Sequence, residues 1–241
     1  MKKIAKLISE RGYCSRREAE KIIISGRVFV NNSIVRNVAE RFDDNVVIEI
    51  DNKILKQNRK TVVFLFNKPT GCISSTKDEH GRNTIFDYIP KNLPRLVSVG
   101  RLDYNSEGLM ILTNNGELAK ELMSPKNHIK RTYLVKVFGN INENMIPQIE
   151  AGITINGVNY NKIAIKIKPI SDKKHILEMT LTEGKNREIR KICEYFNLVV
   201  NKLQRISYEN FYLDDLPLKK LRQISHEKVD QLLNKYLNKE A

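Results

Sequence analysis

The chain has 241 residues, 41% of them hydrophobic, with 42 Lys and Arg against 28 Asp and Glu, a formal charge of +14. That apolar share fills a core and excludes disorder by composition, while the cationic surplus points to a polyanionic partner, nucleic acid before anionic membrane. No apolar run reaches the ~18 residues of a membrane span. The N-terminal MKKIAKLISERGYCSRR has no apolar signal core, which points to a cytoplasmic protein. Cys14, Cys72 and Cys193, like the four histidines, are too scattered for a disulfide framework or a zinc site, so chemistry without metal or cofactor is expected.

In chain order, Ile4, Leu7 and Ile8 share one face of a helix over residues 2–11 that Gly12 closes. Ser15 and Glu18 have capping-box spacing, opening a helix that carries Ala19, Ile22 and Ile23 inward and stops at Gly26. Val28–Val30 and Ile34–Val35 are short strands around Asn31-Asn32-Ser33, a hairpin turn, and 46–50 is another strand. Residues 1–36 hold nine Lys and Arg against three Glu, a face suited to a phosphate backbone. Lys3, Arg16, Arg17, Lys21 and Arg27 are the candidate phosphate contacts there.

The run SRREAEKIIISGRVFVNNSIVRNV, with the helix before it, resembles an S4 RNA-binding domain over about the first 50 residues. Asn32 stands where that family often has Gly, and Asn tolerates the left-handed backbone of a tight turn. The resemblance implies binding to structured RNA. Residues 51–60 are polar and read as a linker, dividing a 1–58 module from a 59–241 domain.

The second domain opens with a strand at 62–66 and a turn at Asn67-Lys68-Pro69-Thr70-Gly71. Strands follow at 96–99, 109–112, 133–138, 163–167 and 176–181, with helices at 116–123, 187–196 and 225–237. This is an α+β pattern with a mixed, mainly antiparallel sheet.

Two segments carry candidate chemistry. Gly100-Arg101-Leu102-Asp103, ending at Gly108, places a carboxylate on a loop between core strands. In Glu183-Gly184-Lys185-Asn186-Arg187-Glu188-Ile189-Arg190-Lys191, Asn186 reads as an N-cap, and Arg187, Arg190 and Lys191 gather cations near a helix N-terminus, an anion site. Cys193 falls on the apolar stripe of that helix, and Tyr133 opens a strand.

Together these segments resemble the S4-containing ribosomal RNA pseudouridine synthases of the RsuA/RluB/RluF type, over nearly the whole chain. VGRLDYNSEGLMILTNNGELAKELMSP resembles the family's catalytic segment and puts its aspartate on Asp103. KRTYLVKV puts the active-site tyrosine on Tyr133, and EGKNREIRK puts the basic partner of the aspartate on Arg190. KLQRISY supplies the pocket's apolar residue as Leu203 and an RNA contact as Arg205. NKPTG places Lys68 near the cleft, and Arg101 and Arg187 complete the expected RNA contacts. The resemblance implies conversion of a specific rRNA uridine to pseudouridine without a cofactor. The N-R-E-I-R run is closer to the large-subunit enzymes, which implies a large-subunit target, and a monomer is expected. A small-subunit target and a non-catalytic rRNA-binding or ribosome-assembly protein are the alternatives.

Overall fold

The computed structural model describes residues 1–241 apart from 58, 59, 77, 79, 143 and 239–241. The described chain forms two compact units. One comprises residues 1–62, 91–97 and 114–116, the other 63–90, 98–113 and 117–241.

In the first unit, a two-residue ladder pairs β1 (Lys2–Lys3) with β4 (Arg41–Phe42). Helix α1 (Ile4–Glu10) buries Ile4, Ala5, Leu7 and Ile8. Helix α2 (Arg16–Ile24) starts at the expected capping box: the Ser15 hydroxyl accepts from Glu18 N, and the Glu18 carboxylate accepts from Ser15 N. Strands β2 (Val28–Val30), β3 (Ser33–Val35), β5 (Ile48–Ile50) and β6 (Lys53–Ile54) form a sheet ordered β3-β2-β5-β6. Asn31 and Asn32 turn β2 into β3 with φ of 48° and 65°, both left-handed, which Asn adopts at low cost. Asp51 and Asn52 repeat the device between β5 and β6, at 50° and 62°. The segment read as a linker from 51 therefore begins with a hairpin, because this Asp-Asn pair does the turning work more often given to Asn-Gly. One core joins α1 and α2 to Val28, Val30, Val35, Ile48 and Ile50.

The second unit is built on a nine-stranded sheet. Its members are β7 (Val63–Lys68), β8 (Val97–Val99), β9 (Glu107–Thr113), β10 (Arg131–Phe138), β13 (Ala164–Ser171), β14 (Lys174–Leu181), β15 (Val199–Tyr208), β16 (Phe211–Tyr212) and β17 (Leu221–Gln223). The main path runs β13-β14-β10-β15-β9-β7-β17, with β8 beside β9 and β16 beside β15. Pairing along this path is antiparallel except between β15 and β9, which run parallel for two residue pairs, Gln204↔Glu107 and Arg205↔Gly108. Helices α3 (Gly116–Met123), α4 (Met145–Ala151), α5 (Glu188–Tyr195) and α6 (His226–Tyr236) and a small hairpin of β11 (Ile153–Ile155) and β12 (Val158–Tyr160) complete the unit. One of its clusters packs α4 and α5, through Met145, Ile149, Ile189, Ile192 and Cys193, against Val135, Leu177, Met179 and Leu203 of the sheet.

The mixed, mainly antiparallel α+β architecture agrees with the expectation. The longest strand, β15, was not foreseen: its first six residues, VVNKLQ, interleave Lys202 and Gln204 with apolar positions and leave no clean run.

Candidate active site

Asp103 sits on a tight turn just before β9. Ser106 N donates to Asp103 O at 3.0 Å, closing the turn over Tyr104 and Asn105. Four neighbours anchor its backbone. The Lys68 ammonium, fully buried at the end of β7, donates to Pro69 O (2.9 Å), Asp103 O (3.1 Å) and Ser106 O (2.8 Å). Gly71 N donates to Tyr104 O at 3.0 Å. The Ser74 hydroxyl donates to Leu102 O at 2.8 Å and accepts from Leu102 N at 3.1 Å. Arg190 Nη2 donates to Asn105 O at 2.9 Å. With its main chain pinned, the half-buried Asp103 side chain borders a cavity of about 530 Å³.

Two expectations are corrected here. Lys68 is no RNA contact: its charge lies under the Asp103 turn and its donors are spent on carbonyls. Burial pushes its ammonium below the ordinary lysine value, opposed by the nearby Cys72 and Asp103. Arg190 reaches the aspartate's turn, yet its guanidinium grips the Asn105 carbonyl and makes no ion pair with the Asp103 carboxylate. Burial, then the neighbouring Arg187, push the Arg190 guanidinium below its ordinary value, opposed by the nearby Asp103 carboxylate.

The second glycine of the motif has a packing reason. At Gly108 (φ +102°) a Cβ would stand 2.3 Å from Arg205 O, so only glycine lets β15 lie parallel to β9. That contact brings β15 to the pocket. Tyr133 of β10 and Leu203 and Arg205 of β15 line the cavity with Asp103, and Tyr133 lies opposite Arg205 in the ladder. Leu203 is buried in the core cluster, and Tyr133 packs half-buried against the same cluster. Arg205, expected as an RNA contact, is buried: Nε donates to Leu109 O at 2.7 Å, and the guanidinium lies over the Tyr208 ring. Arg101 and Arg187 also line the cavity, and both are exposed.

The loop before α5 forms another wall. Asn186 is not its N-cap. Arg187 occupies that place at φ +53° without a side-chain cap bond, and the Glu188 carboxylate accepts from Lys185 N at 2.9 Å instead. Lys185 donates to Glu183 Oε2 and to Asn159 O, fixing the loop to the β11–β12 hairpin. Glu188 is buried, and that burial, with Glu183 beside it, pushes its carboxyl up to about 7. Cys193 packs in the core as expected, its thiol pushed up to about 12 by burial.

In the first unit Lys3, Arg16, Arg17 and Lys21 are exposed and hold no ion pair among the described residues. Arg27 is exposed but paired with Asp51. Arg11, part of the same charge run, is buried and donates to Asp44 O (2.8 Å) and Val46 O (2.7 Å).

Sequence reasoning missed Arg131, Ser74, Ser106, Glu188 and Tyr208, all of which line the cavity. One signal was available: Arg131 lies two residues before Tyr133 on a strand, and such positions share a face.

A model of the RNA pseudouridylate synthase family matches residues 62–195, more than half of the chain. The chain belongs to the RNA pseudouridine synthases. This RNA pseudouridine synthase also matches the S4 domain model over residues 2–48. An uncharacterized RNA pseudouridine synthase of Rickettsia felis (strain ATCC VR-1525 / URRWXCal2) is 39% identical over 231 residues, 96% of this chain and 100% of its own. The ribosomal large subunit pseudouridine synthase B of Bacillus subtilis (strain 168) is 34% identical over 235 residues, 96% of each chain. The crystal structure of a pseudouridylate synthase superposes with a TM-score of 0.67 at 26% identity, covering 96% of this chain and 100% of that one. As an RNA pseudouridine synthase, the protein is an isomerase acting on RNA. The matched segment holds Lys68, Asp103, Tyr133 and Arg190 and stops before β15, which brings Leu203 and Arg205.

Proposed function

We propose that this pseudouridine synthase acts on a uridine of large-subunit ribosomal RNA, with Asp103 as the reacting carboxylate. One observation carries the reading: Asp103 borders a cavity of about 530 Å³ on a turn whose backbone is anchored from four sides. That volume falls within the ~300–1,000 Å³ usual for small-molecule sites, ample for a nucleotide base. A carboxylate presented on pinned backbone loses little freedom when it meets substrate, which favours attack.

The reaction breaks the bond between ribose C1′ and uracil N1, turns the base and joins C1′ to C5, with no atom gained or lost. The uridine has to leave its stack, at a cost of a few kcal/mol. Stacking on the Tyr133 ring offsets this by roughly 1–3 kcal/mol, and the exposed Arg101 and Arg187 hold adjoining phosphates. The Tyr133 hydroxyl takes part in moving the C5 proton. Relatives named ribosomal large subunit pseudouridine synthase B, at 34–36% identity across most of the chain, support the large-subunit target. The S4 domain, with Arg16, Arg17 and Lys21 exposed on α2, docks the RNA. The test maps pseudouridines on ribosomal RNA from cells with and without the protein. One large-subunit position losing its pseudouridine is expected; loss confined to small-subunit RNA or to transfer RNA would overturn the target.

A further inference from the structure

Two buried guanidiniums line the pocket, and neither forms an ion pair among the described residues, although the Asp103, Glu183 and Glu188 carboxylates border the same cavity. Arg131 is 8% exposed and Arg205 2%. Both lie over the Tyr208 ring, 4.9 and 5.0 Å from its centroid. Arg131 Nη2 donates to the Tyr208 hydroxyl at 3.0 Å, and that hydroxyl donates to Leu122 O at 2.7 Å, so the ring is fixed at both its face and its tip. Arg205 Nε donates to Leu109 O, and its Nη2 has no partner. A Cβ built on Gly184 would lie 3.6 Å from Arg131 Nη1, so this nitrogen lies against the loop wall of the cavity.

Removing a cation from water costs several kcal/mol, and an aromatic face returns only about 0.5–2. Buried charges are otherwise paired. Negative charge that the substrate brings would meet guanidiniums that no carboxylate occupies. Its source follows from depth. Backbone phosphates remain at the mouth, near the exposed Arg101 and Arg187, whereas Arg131 and Tyr133 share a strand face and Tyr133 is the ring assigned to stack the base.

We propose that Arg131, braced by Tyr208 and backed by Arg205, binds the carbonyl oxygens of the uracil and stabilises the negative charge they acquire during isomerisation. The proposal rests on the uridine reading above. Breaking C1′–N1 leaves its electron pair on the ring, spread over N1, O2 and O4. On the ribose route the Asp103 carboxylate takes up C1′ as that bond breaks; the ring then bonds to C1′ through C5 and displaces the carboxylate, C5 gives up its proton and N1 takes one up, which restores neutrality. Attack of Asp103 on ring C6 instead of the ribose would drive charge through C5 onto O4, one of the same oxygens. On either route a preorganised cation meets charge as it develops.

The test uses the full-length protein and ribosomal RNA from cells lacking it, reading single-turnover rate and RNA affinity separately. Arg131→Met is expected to lower the rate ~10²–10³-fold, as loss of one oxyanion donor does, with the dissociation constant nearly unchanged. Millimolar guanidinium is expected to restore part of the rate of Arg131→Ala. Tyr208→Phe keeps the ring and drops the hydroxyl that seats Nη2, and a rate loss of about tenfold is expected. Weakened affinity matching the loss of rate, with a salt slope shallower by about 0.7–0.9, would assign Arg131 to a phosphate and overturn the proposal. A near-normal rate in Arg131→Met, or a loss that guanidinium leaves untouched while thermal stability falls in step, would also overturn it. Failure of the wild-type protein to form pseudouridine would overturn the uridine reading itself.

Discussion

Lys68→Met separates a structural from an RNA-contacting role at the base of the pocket. The substitution keeps most of the buried stem and removes the ammonium. Asp103 O retains Ser106 N as a donor, but Ser106 O loses its ammonium donor and Pro69 O keeps only the weak thiol of Cys72. An unsatisfied buried acceptor costs about 1–3 kcal/mol. The bare Ser106 O and the weakly served Pro69 O together cost about 2–4 kcal/mol, and the relief of no longer burying a charge leaves a net loss of roughly 2–3 kcal/mol. At about 2–4 °C per kcal/mol for a unit of this size, Tm of the second unit falls by about 4–12 °C. Below that transition the Asp103 turn loses its main anchor, so the single-turnover rate drops while RNA affinity and its salt slope stay at wild-type values. Calorimetry, single-turnover kinetics and a salt titration on one RNA measure all three. An unchanged Tm would refute the anchoring argument, and a slope shallower by about 0.7–0.9 would return Lys68 to the RNA contacts.

Further outcomes follow from the same geometry. Gly108→Ala forces a Cβ to 2.3 Å from Arg205 O at φ +102°, so β9 and β15 separate; a stability loss above about 2 kcal/mol is expected by chemical denaturation, and a near-neutral change would contradict the close approach. Glu188 has a folded pKa raised to about 7, so the native state holds more protons than the unfolded chain between about pH 4.5 and 7, and its contribution to stability declines as pH rises through that window. Glu188→Gln, which mimics the neutral acid, is therefore expected to gain stability relative to wild type from pH 5 to pH 8, by at most ~3 kcal/mol; a difference flat in pH would contradict the assignment. Replacing Arg16, Arg17 and Lys21 together by Gln is expected to lower the salt slope of RNA binding by about 2–3 if all three meet phosphates, and an unchanged slope would make the α2 face a solvated one.

What the sequence disclosed depended on how local the cause was. The Ser15–Glu18 capping box and the Asn31-Asn32 turn are set by residues within four positions of one another, and both formed as expected. Asp103 was legible as a carboxylate on a loop between strands because flanking glycines punctuate that loop. The errors lie where a side chain's surroundings come from distant segments. Lys68 and Arg205 look like surface cations until β7, β9 and β15 assemble around them. Arg190 was assigned a carboxylate partner from a motif, whereas the fold gives it a carbonyl two residues past Asp103. Strand β15 carried too many polar residues for its alternation to stand out, and with it went the signal for Tyr208. The unpaired charge of Arg131 was invisible for the same reason, since pairing is a property of the folded pocket.

The central claim is that the Asp103 carboxylate, held by the anchored turn, carries out the isomerisation. Its most direct test measures pseudouridine formed in one turnover on ribosomal RNA from cells lacking the protein, using wild type and Asp103→Asn at equal occupancy of the RNA. The substitution keeps size and turn backbone and removes one charge from a broad cationic footprint, so RNA affinity stays within about threefold of wild type. Pseudouridine at a single position with wild type and none above background with Asp103→Asn is the predicted result. Substantial product from Asp103→Asn at that same position would contradict the account.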